Sequence, residues 1–493
     1  MRSSSPLLLS LSLVSSSSLA NVPLTVRIQH AANLSERGGN NITAAFAAVE
    51  QWCDIVLVAN QQQRLPRRVA YLVHRLYASS LVRIGRDAAA IDQYERALQE
   101  IPEASCRGME WNSTQFEQGR CWQRLMNYQK AHEVYLDVGK GLEAAICAMR
   151  LGDMDVAMRA LGTVETEVGH TMLALLRALM GKTHMQSSVL QQQIDNGSSS
   201  RELIGNNGAF DDPLLVHLDD KVFLHTLLSS SDATRAFWPE GELVSREDLS
   251  AAVTTNTSSP LWIAKSRSGY GSHGNRLLRL EHCSTFDVQR QATSDDTLLL
   301  QRVIHPPCLL NGRKFSLRVY VVRIGATSHF SKDAIVKVAK DAWTPEGTVV
   351  DQHMTNSGRG EAMTQAGFGA LSDVFSQEED VEFWNNLRNS LRLVLSLYDE
   401  AASRNQLKIP GSTVDKKKLS DMRARIASMG LPKILGFDYV VDANRRPWLI
   451  EVNRFPGLEP RDDVDTPIKQ AIVADAWTIA RGNGTPLGRL ELL

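Results

Sequence analysis

The sequence of 493 residues lacks the features that would define several simpler classes of protein. It has six cysteines, none in a CxxC pair, so neither a disulfide framework nor a zinc motif is indicated and a reducing compartment is favoured. Its 54 basic and 55 acidic side chains leave a net charge of -1, which argues against a polycation that coats nucleic acid. No apolar run approaches the roughly 20 residues of a membrane span. The apolar fraction of 43% is typical of folded, globular chains.

The N-terminus has the composition of a targeting segment. Residues 6–14 are apolar apart from two serines, small residues flank Leu19, and no acidic residue precedes Glu36. Residues 1–25 are therefore either a cleaved signal or transit peptide or a disordered tail. Residues 26–66 give no clear pattern and remain unassigned.

Residues 67–185 have helical periodicity, with apolar side chains three and four positions apart. Small and aromatic residues recur at similar offsets in two segments, which comprise Ala78, Leu81, Ala90, Tyr94 and Ala97, and then Gly119, Trp122, Ala131 and Tyr135. This spacing resembles tetratricopeptide repeats, which would bind a protein partner. A generic helical bundle is the alternative.

The chain changes character after a polar segment. Residues 186–210 are rich in Gln, Asn, Ser and Gly and are predicted to be a linker. Residues 211–480 alternate strand and helix patterns, as an α+β domain does, and residues 481–493 form a tail.

A short apolar strand ends at Lys265 and is followed by a loop that contains Gly269 and Gly271. Glycines let backbone N–H groups approach phosphate oxygens, and a lysine adds a positive charge. The order of residues differs from that of a P-loop. A Gly/Ser-rich surface loop is the structural alternative.

The strand pattern of residues 311–322 places two cations on one face. Strand alternation puts Lys314, Ser316, Arg318 and Tyr320 on that face, and apolar residues on the other. The charged face either binds an anionic ligand or lies in solvent.

A second pair of strands is predicted to form a hairpin around residues 442–446. Asp438 would lie opposite Glu451, and Asn453 would share the face of Glu451. Two carboxylates and an amide oxygen this close favour Mg²⁺. The alternative is a structural hairpin with charges at its edge.

Taken in order, these segments resemble the tubulin–tyrosine ligase family of the ATP-grasp superfamily. The motifs that carry the resemblance are Trp262-Ile-Ala-Lys265, Gln301-Arg-Val-Ile304, Gly312-Arg-Lys-Phe-Ser-Leu-Arg318, His353-Met-Thr-Asn356, Leu435-Gly-Phe-Asp438 and Trp448-Leu-Ile-Glu451-Val-Asn453. The resemblance implies an α+β ATP-grasp ligase domain over residues 211–480, preceded by an all-α helical-repeat domain.

The resemblance also implies a role for each matching residue. Lys221, Lys265, Lys314 and Arg318 would contact the nucleotide, with Gln301 and Ile304 at the adenine. His353, Thr355 and Asn356 would lie near the reacting phosphate, while Asp438, Glu451 and Asn453 would bind Mg²⁺. Catalysis would depend on Arg318, Lys265, His353 and Asn356.

Two positions depart from the family pattern. Ser316 stands where the family usually has an aspartate, and a further family arginine has no clear match, for which Lys337 or Lys340 could substitute.

The function implied is an ATP-dependent carboxylate–amine ligase. It would add tyrosine, glutamate or glycine to a protein carboxylate, with tubulin as the family acceptor and a cytoplasmic or cytoskeletal location. The basic run Lys416-Lys-Lys418 with Arg423 and Arg425 could receive an acidic tail, or could be a solvated helix face. The alternative function, suggested by Ser316 and the unmatched arginine, is a repeat scaffold that binds nucleotide without turnover.

Overall fold

The structure is a computed structural model that describes residues 22–37, 42–62, 65–83, 86–101, 108–179, 212–245, 249, 260–267, 275–280, 297–345, 350–353, 355, 368–409, 414–428, 430–458, 465–480 and 489–493. Residues 1–21, the predicted linker, Gly269, Gly271 and Asn356 lie outside this range. Internal contacts divide the described chain into two compact units, which meet in sequence between Gly139 and Lys140.

The first unit is helical throughout its described part. Its helices are α1 (Leu24–Arg37), α2 (Ile42–Gln62), α3 (Arg67–Arg83), α4 (Asp87–Gln99), α5 (Met109–Arg124) and α6 (Tyr128–Asp137). The helical prediction for the region from residue 67 is confirmed. The described residues of the unassigned region 26–66 are mostly helical as well. Helices α1 and α2 pack through a core around Ala31 and Trp52 that includes Val73 of α3.

Small residues allow these helices to approach closely, as their spacing predicts. Ala78, Ala90 and Ala97 are fully buried. A Cβ atom on Gly119 of α5 would lie only 2.8 Å from the ring of Tyr135 in α6. These contacts explain why small residues occupy those positions.

The second unit begins with three helices that precede the predicted linker. They are α7 (Gly141–Arg150), α8 (Met154–Leu161) and α9 (Glu167–Leu179). Gly152, between α7 and α8, has φ of +81° and would place a Cβ atom 3.3 Å from Met422. The Arg150 guanidinium lies 4.5 Å from the ring of Phe455. The compact unit that holds the sheets therefore includes helices that the sequence assigns to the repeat region.

The remaining helices of the second unit are interspersed with strands. They are α10 (Val216–Asp219), α11 (Lys221–Leu228), α12 (Val350–His353), α13 (Val381–Ser403), α14 (Lys416–Ser428) and α15 (Asp465–Ala480). None of the helices in the described part of the chain combines the length and apolarity that a membrane span needs.

The described strands form two antiparallel sheets. The smaller has the order β1–β4–β2–β3, formed by β1 (Gly241–Ser245), β4 (Thr297–Arg302), β2 (Leu261–Ser266) and β3 (Arg276–Arg279). The larger follows β11–β10–β6–β7–β12, with β5 and β8 paired to β6 and β9 paired to β8. Its strands are β5 (Leu309–Leu310), β6 (Arg313–Ile324), β7 (Thr327–Ser331), β8 (Ile335–Val338), β9 (Phe368–Ala370), β10 (Lys433–Val441), β11 (Pro447–Asn453) and β12 (Leu490–Leu492).

The long strand β6 separates two environments. Phe315, Leu317, Val319 and Val321 enter the main core, which also contains the apolar face of α13. At the far end of the opposite face, Tyr320 packs in a second core with residues of α15. The predicted alternation of β6 is confirmed, and the all-α region precedes an α+β domain as expected.

The hairpin of β10 and β11 has the predicted register with one irregularity. Asp438 pairs with Glu451, but Tyr439 pairs with Leu449, so Ile450 forms a β-bulge. A bulge frees a backbone group from the ladder and redirects it. Asp442 stabilises the turn by accepting backbone N–H bonds from Asn444 and Arg446.

Candidate functional site

Cationic side chains from four elements converge on the β10–β11 hairpin. Lys221 begins α11, Lys265 lies near the end of β2, Lys314 and Arg318 lie on β6, and Lys337 lies on β8. All five residues are at least nine-tenths buried. The alternative of a solvent-exposed face for β6 is therefore wrong, because Lys314, Ser316 and Arg318 are all buried.

Lys265 is held by two acceptors. Its Nζ donates to Gln301 Oε1 at 2.6 Å and to the Ile450 carbonyl at 2.9 Å. The second acceptor is available because the β-bulge removes Ile450 from the ladder. Burial lowers the pKa of Lys265 to about 7, an effect that the Glu451 carboxylate opposes.

Lys314, on β6, is also a buried lysine. Its ammonium forms neither an ion pair nor a hydrogen bond with another residue in the part of the chain described. Burial lowers its pKa to about 8. A buried ammonium without a counter-charge is unfavourable unless an anion occupies the site. Lys314 therefore indicates an anionic ligand.

Arg318 and Asp438 form a buried bidentate ion pair. Arg318 Nε donates to Asp438 Oδ1, and its Nη2 donates to Oδ2 at 2.6 Å. Lys337 Nζ lies 3.8 Å from the same carboxylate. Although burial would raise it, the pKa of Asp438 is held below its ordinary value by Arg318 and Lys337.

The structure distinguishes the two lysines considered as substitutes for the unmatched family arginine. Lys337 pairs in register with Ser316 and faces Asp438, whereas Lys340 is exposed. Lys337 sits in a short strand between buried apolar residues, a pattern that sequence alone could have used to select it.

The three predicted metal ligands lie together. The Asn453 amide donates to Asp438 Oδ2 at 3.4 Å and to Glu451 Oε1 at 3.3 Å. Lys221 Nζ lies 3.8 Å from Glu451 Oε2. No cluster of three or more His, Cys, Asp and Glu side chains suited to a metal occurs among the described residues, since this trio has two carboxylates and one amide.

The donor chemistry of this trio fits a hard divalent cation. Rotation of the Asn453 amide would replace its N–H donors with an oxygen and give an all-oxygen set. With two carboxylates, the remaining coordination positions are left for phosphate oxygens or water.

Among the described residues, the buried cations of the site outnumber its carboxylates. Lys221, Arg318 and Lys337 contact Asp438 or Glu451, and Lys265 and Lys314 lie in the same charged cluster. The excess of positive charge matches a polyanion such as a triphosphate.

Two further predicted residues lie beside the charged cluster. The Ser316 hydroxyl is 2.5 Å from that of Thr355, which brings Thr355 against β6. Gln301 is almost completely buried, and its Nε2 has no hydrogen-bond partner among the described residues. An unpaired buried donor is expected to meet a ligand acceptor.

A cavity of about 1100 Å³ lies at the end of the smaller sheet where β1 and β2 begin. It is lined by Ile304 and His353. Trp238, Leu261 and Trp448 contribute apolar surface to the same cavity. The charged residues of the cluster do not line it. The cavity therefore offers a largely separate, partly apolar space beside the charged cluster.

Only part of the predicted basic helix is free to bind an acidic partner. Lys416, Lys417 and Lys418 are exposed at the start of α14. Arg423 instead donates from Nε to both Asp212 carboxylate oxygens, each at 2.8 Å. Arg423 therefore helps to fix α14 to the segment before α10.

Comparison with known proteins shows a resemblance to one family. The sequence profile of the Tubulin-tyrosine ligase family matches residues 219–357 and 413–483, which contain every described residue of the candidate site. The fold is the α+β arrangement of the ATP-grasp type, and the chain resembles the tubulin-tyrosine ligase family over these residues.

Similar proteins are tubulin and protein modifying enzymes. The human tubulin monoglutamylase TTLL4 is 26% identical over 194 residues, which are 37% of this chain and 16% of that protein. The mouse tubulin polyglutamylase TTLL7 is 23% identical over 230 residues, 44% of this chain and 24% of the relative. The rat protein polyglycylase TTLL10 is 22% identical over 263 residues, 50% and 38% respectively. The chain thus matches well under half of the length of each.

Proposed function

We propose that this protein is an ATP-dependent ligase that joins the amine of an amino acid to a carboxylate of a protein. The observation that carries the proposal is the group of buried cations near Asp438 and Glu451, of which Lys314 has no ion-pair partner among the residues that the structure describes. Such a site suits a nucleoside triphosphate, and relatives of this family modify tubulin and other proteins.

The reaction would proceed in two steps. An acceptor carboxylate oxygen attacks the γ-phosphorus of ATP, the bond from that phosphorus to the β,γ-bridging oxygen breaks, and ADP leaves. The amine nitrogen of the amino acid then attacks the carbonyl carbon of the acyl phosphate. The bond from the carbonyl carbon to the phosphate oxygen breaks, and phosphate leaves with its electron pair. The nitrogen loses a proton, and an amide results.

The residues of the site would supply binding and charge stabilisation. Lys265 and Lys314 would bind phosphate oxygens, while Arg318 and Lys337 would stabilise charge on the transferred group. Asp438, Glu451 and Asn453 would hold Mg²⁺, which neutralises phosphate charge when bound. Gln301 and Ile304 would contact the base, and Thr355 would position the nucleotide together with Ser316. His353 and Asn356 are proposed to lie near the reacting phosphate.

The acceptor is proposed to be an acidic segment of a tubulin-like protein, with a cytoskeletal location. The exposed lysines 416–418 stand at the N-terminal end of α14, where the helix dipole disfavours positive charge. An acidic partner would offset that unfavourable placement. The helices of the first unit are proposed to bind a protein partner.

The test is incubation of the purified protein with Mg²⁺-ATP, mixed amino acids and acidic peptides, followed by mass spectrometry. A ligase produces a mass increase equal to one or more amino acid residues and an equivalent amount of ADP. ATP binding without any product would instead support the alternative of a nucleotide-binding scaffold, for which the replacement of the family aspartate by Ser316 is the relevant observation.

A further inference from the structure

The two lysines that approach the hairpin from outside the larger sheet are connected through their sequence neighbours. Lys221 follows Asp220, and Lys265 precedes Ser266 and Arg267. The Lys221 backbone N–H donates to the Arg267 carbonyl at 3.2 Å. Arg267 Nε donates in return to Asp220 Oδ2 at 2.5 Å. The start of α11 is thus joined to the end of β2.

Asp220 uses both of its carboxylate oxygens. Oδ1 caps α11 by accepting the N–H groups of Val222 and Phe223 at 2.8 and 3.0 Å. Oδ2 receives Arg267, whose guanidinium also lies 4.4 Å from the ring of Phe223. The carboxylate is almost completely buried, and burial raises its pKa while Arg267 and the two N–H groups oppose that rise. One side chain therefore fixes both the direction of α11 and its distance from β2.

The outcome of this arrangement is the position of the Lys221 ammonium. Because Lys221 is the first residue of α11, its side chain depends on the cap, and it reaches Glu451 with 3.8 Å between Nζ and Oε2. Loss of the Asp220–Arg267 pair would let α11 move relative to β2. Lys221 would then shift relative to both Lys265 and Glu451.

We propose that Asp220 and Arg267 are positioning residues of the nucleotide site, which set the Lys221 ammonium against Glu451 and beside Lys265. The expected effect on nucleotide affinity rests on the proposed function. The placement of Lys221 itself is a property of the protein without nucleotide, and it is measured separately.

The first measurement is acetylation of lysines in the nucleotide-free protein, followed by peptide mass spectrometry. Asp220→Asn keeps the cap oxygen and removes the charge, and Arg267→Met keeps an apolar stem beside Phe223. Both variants are expected to increase the acetylation rate of Lys221 several-fold, with Lys314 unchanged. An unchanged rate at Lys221 would overturn the inference, whether or not the protein binds nucleotide.

The second measurement is nucleotide affinity with and without Lys221. Asp220→Asn is expected to weaken binding by about tenfold, the scale of one charge-assisted hydrogen bond. In a Lys221→Met background the same substitution should have no further effect, because it acts through that ammonium. Additive losses in the double variant would show a general structural role and overturn the inference.

The control removes a different ion pair from the same compact unit. Arg388 on α13 donates from Nε and Nη2 to the carboxylate of Glu491 at 2.6 and 3.1 Å. Helix α13 packs on the face of β6 opposite to the site. Arg388→Gln should alter neither Lys221 acetylation nor nucleotide affinity. A change of equal size in this variant would assign the effect to general loss of stability. Failure of wild-type protein to bind nucleotide would contradict the proposed function and leave the acetylation result decisive for positioning.

Discussion

Replacement of Lys314 by methionine is expected to stabilise the nucleotide-free protein and to abolish nucleotide binding. Lys314 is buried on β6 without an ion-pair partner among the described residues, so its charge opposes folding. Methionine has a similar length and is flexible enough to occupy the same space without a charge. Opposite changes in stability and affinity are the sign of a residue retained for its ligand.

The magnitude follows from the pKa of the lysine. Burial lowers it from 10.5 to about 8. At about 1.4 kcal/mol for each pKa unit, the charged form destabilises the folded protein by roughly 3 kcal/mol at pH 7. Lys314→Met should therefore raise the Tm of the nucleotide-free protein by roughly 5 °C. Saturating Mg²⁺-ATP should raise the Tm of the wild type and leave that of the variant unchanged.

The pH dependence has a defined sign. Below pH 8 the lysine is charged in both the folded and the unfolded state, so the wild type carries the full destabilisation. Between pH 8 and 10.5 the unfolded state binds more protons, so wild-type stability gains from this residue as pH rises. The advantage of the variant should shrink across that window.

The matched control is Lys340→Met, since Lys340 is exposed and follows Ala339, whose backbone N–H donates to the Lys314 carbonyl at 2.7 Å. It should change the Tm little at any pH and leave nucleotide affinity intact. A Lys314→Met protein that is no more stable than the wild type at pH 7 would refute the argument from burial.

Four other outcomes are expected. Glu451→Gln should retain the fold but lower ATP turnover by about 10²-fold or more, measured by steady-state kinetics, because one charged ligand for Mg²⁺ is lost; unchanged turnover would contradict the metal site. Arg318→Lys should lower kcat by about 10²-fold, since lysine cannot reproduce a bidentate contact; a loss of affinity alone would limit Arg318 to ground-state binding. Nucleotide binding near pH 8 should take up protons, because bound phosphate raises the lowered pKa of Lys265. Calorimetry in buffers of different ionisation enthalpy measures this uptake, and identical binding heats in all buffers would exclude it. A chain that begins at Lys140 should retain nucleotide binding, whereas one that begins at residue 180 should lose stability, because Arg150 of α7 lies over Phe455 and Gly152 lies beside Met422; equal melting temperatures would contradict this.

The strand faces and the hairpin register could be predicted because they follow from local rules. The period of two places Lys314, Ser316 and Arg318 together, and a short turn fixes Asp438 opposite Glu451. Both features depend on residues close in sequence. The structure adds that the shared face is buried, which alternation alone left open.

Other features depend on contacts between distant segments and could not be derived in that way. The bulge at Ile450 supplies a carbonyl to Lys265, 185 residues earlier in the chain. The inclusion of α7–α9 in the second unit rests on contacts such as Arg150 with Phe455, which leave no periodic pattern in the sequence. The choice of Lys337 over Lys340 as the substitute for the unmatched family arginine depends on the pairing of β8 with β6.

The replacement of the family aspartate by Ser316 bears on whether the site turns over or only binds. A serine at this position removes a negative charge, so the cations are less compensated than an aspartate would leave them. The serine hydroxyl instead contacts that of Thr355, which keeps Thr355 against β6. Lys337 meanwhile retains a positive charge within 3.8 Å of Asp438. The substitution therefore changes one polar side chain of the candidate site while it leaves in place the carboxylates and the cations that are proposed to serve phosphoryl transfer, which favours the proposed ligase over a scaffold without turnover.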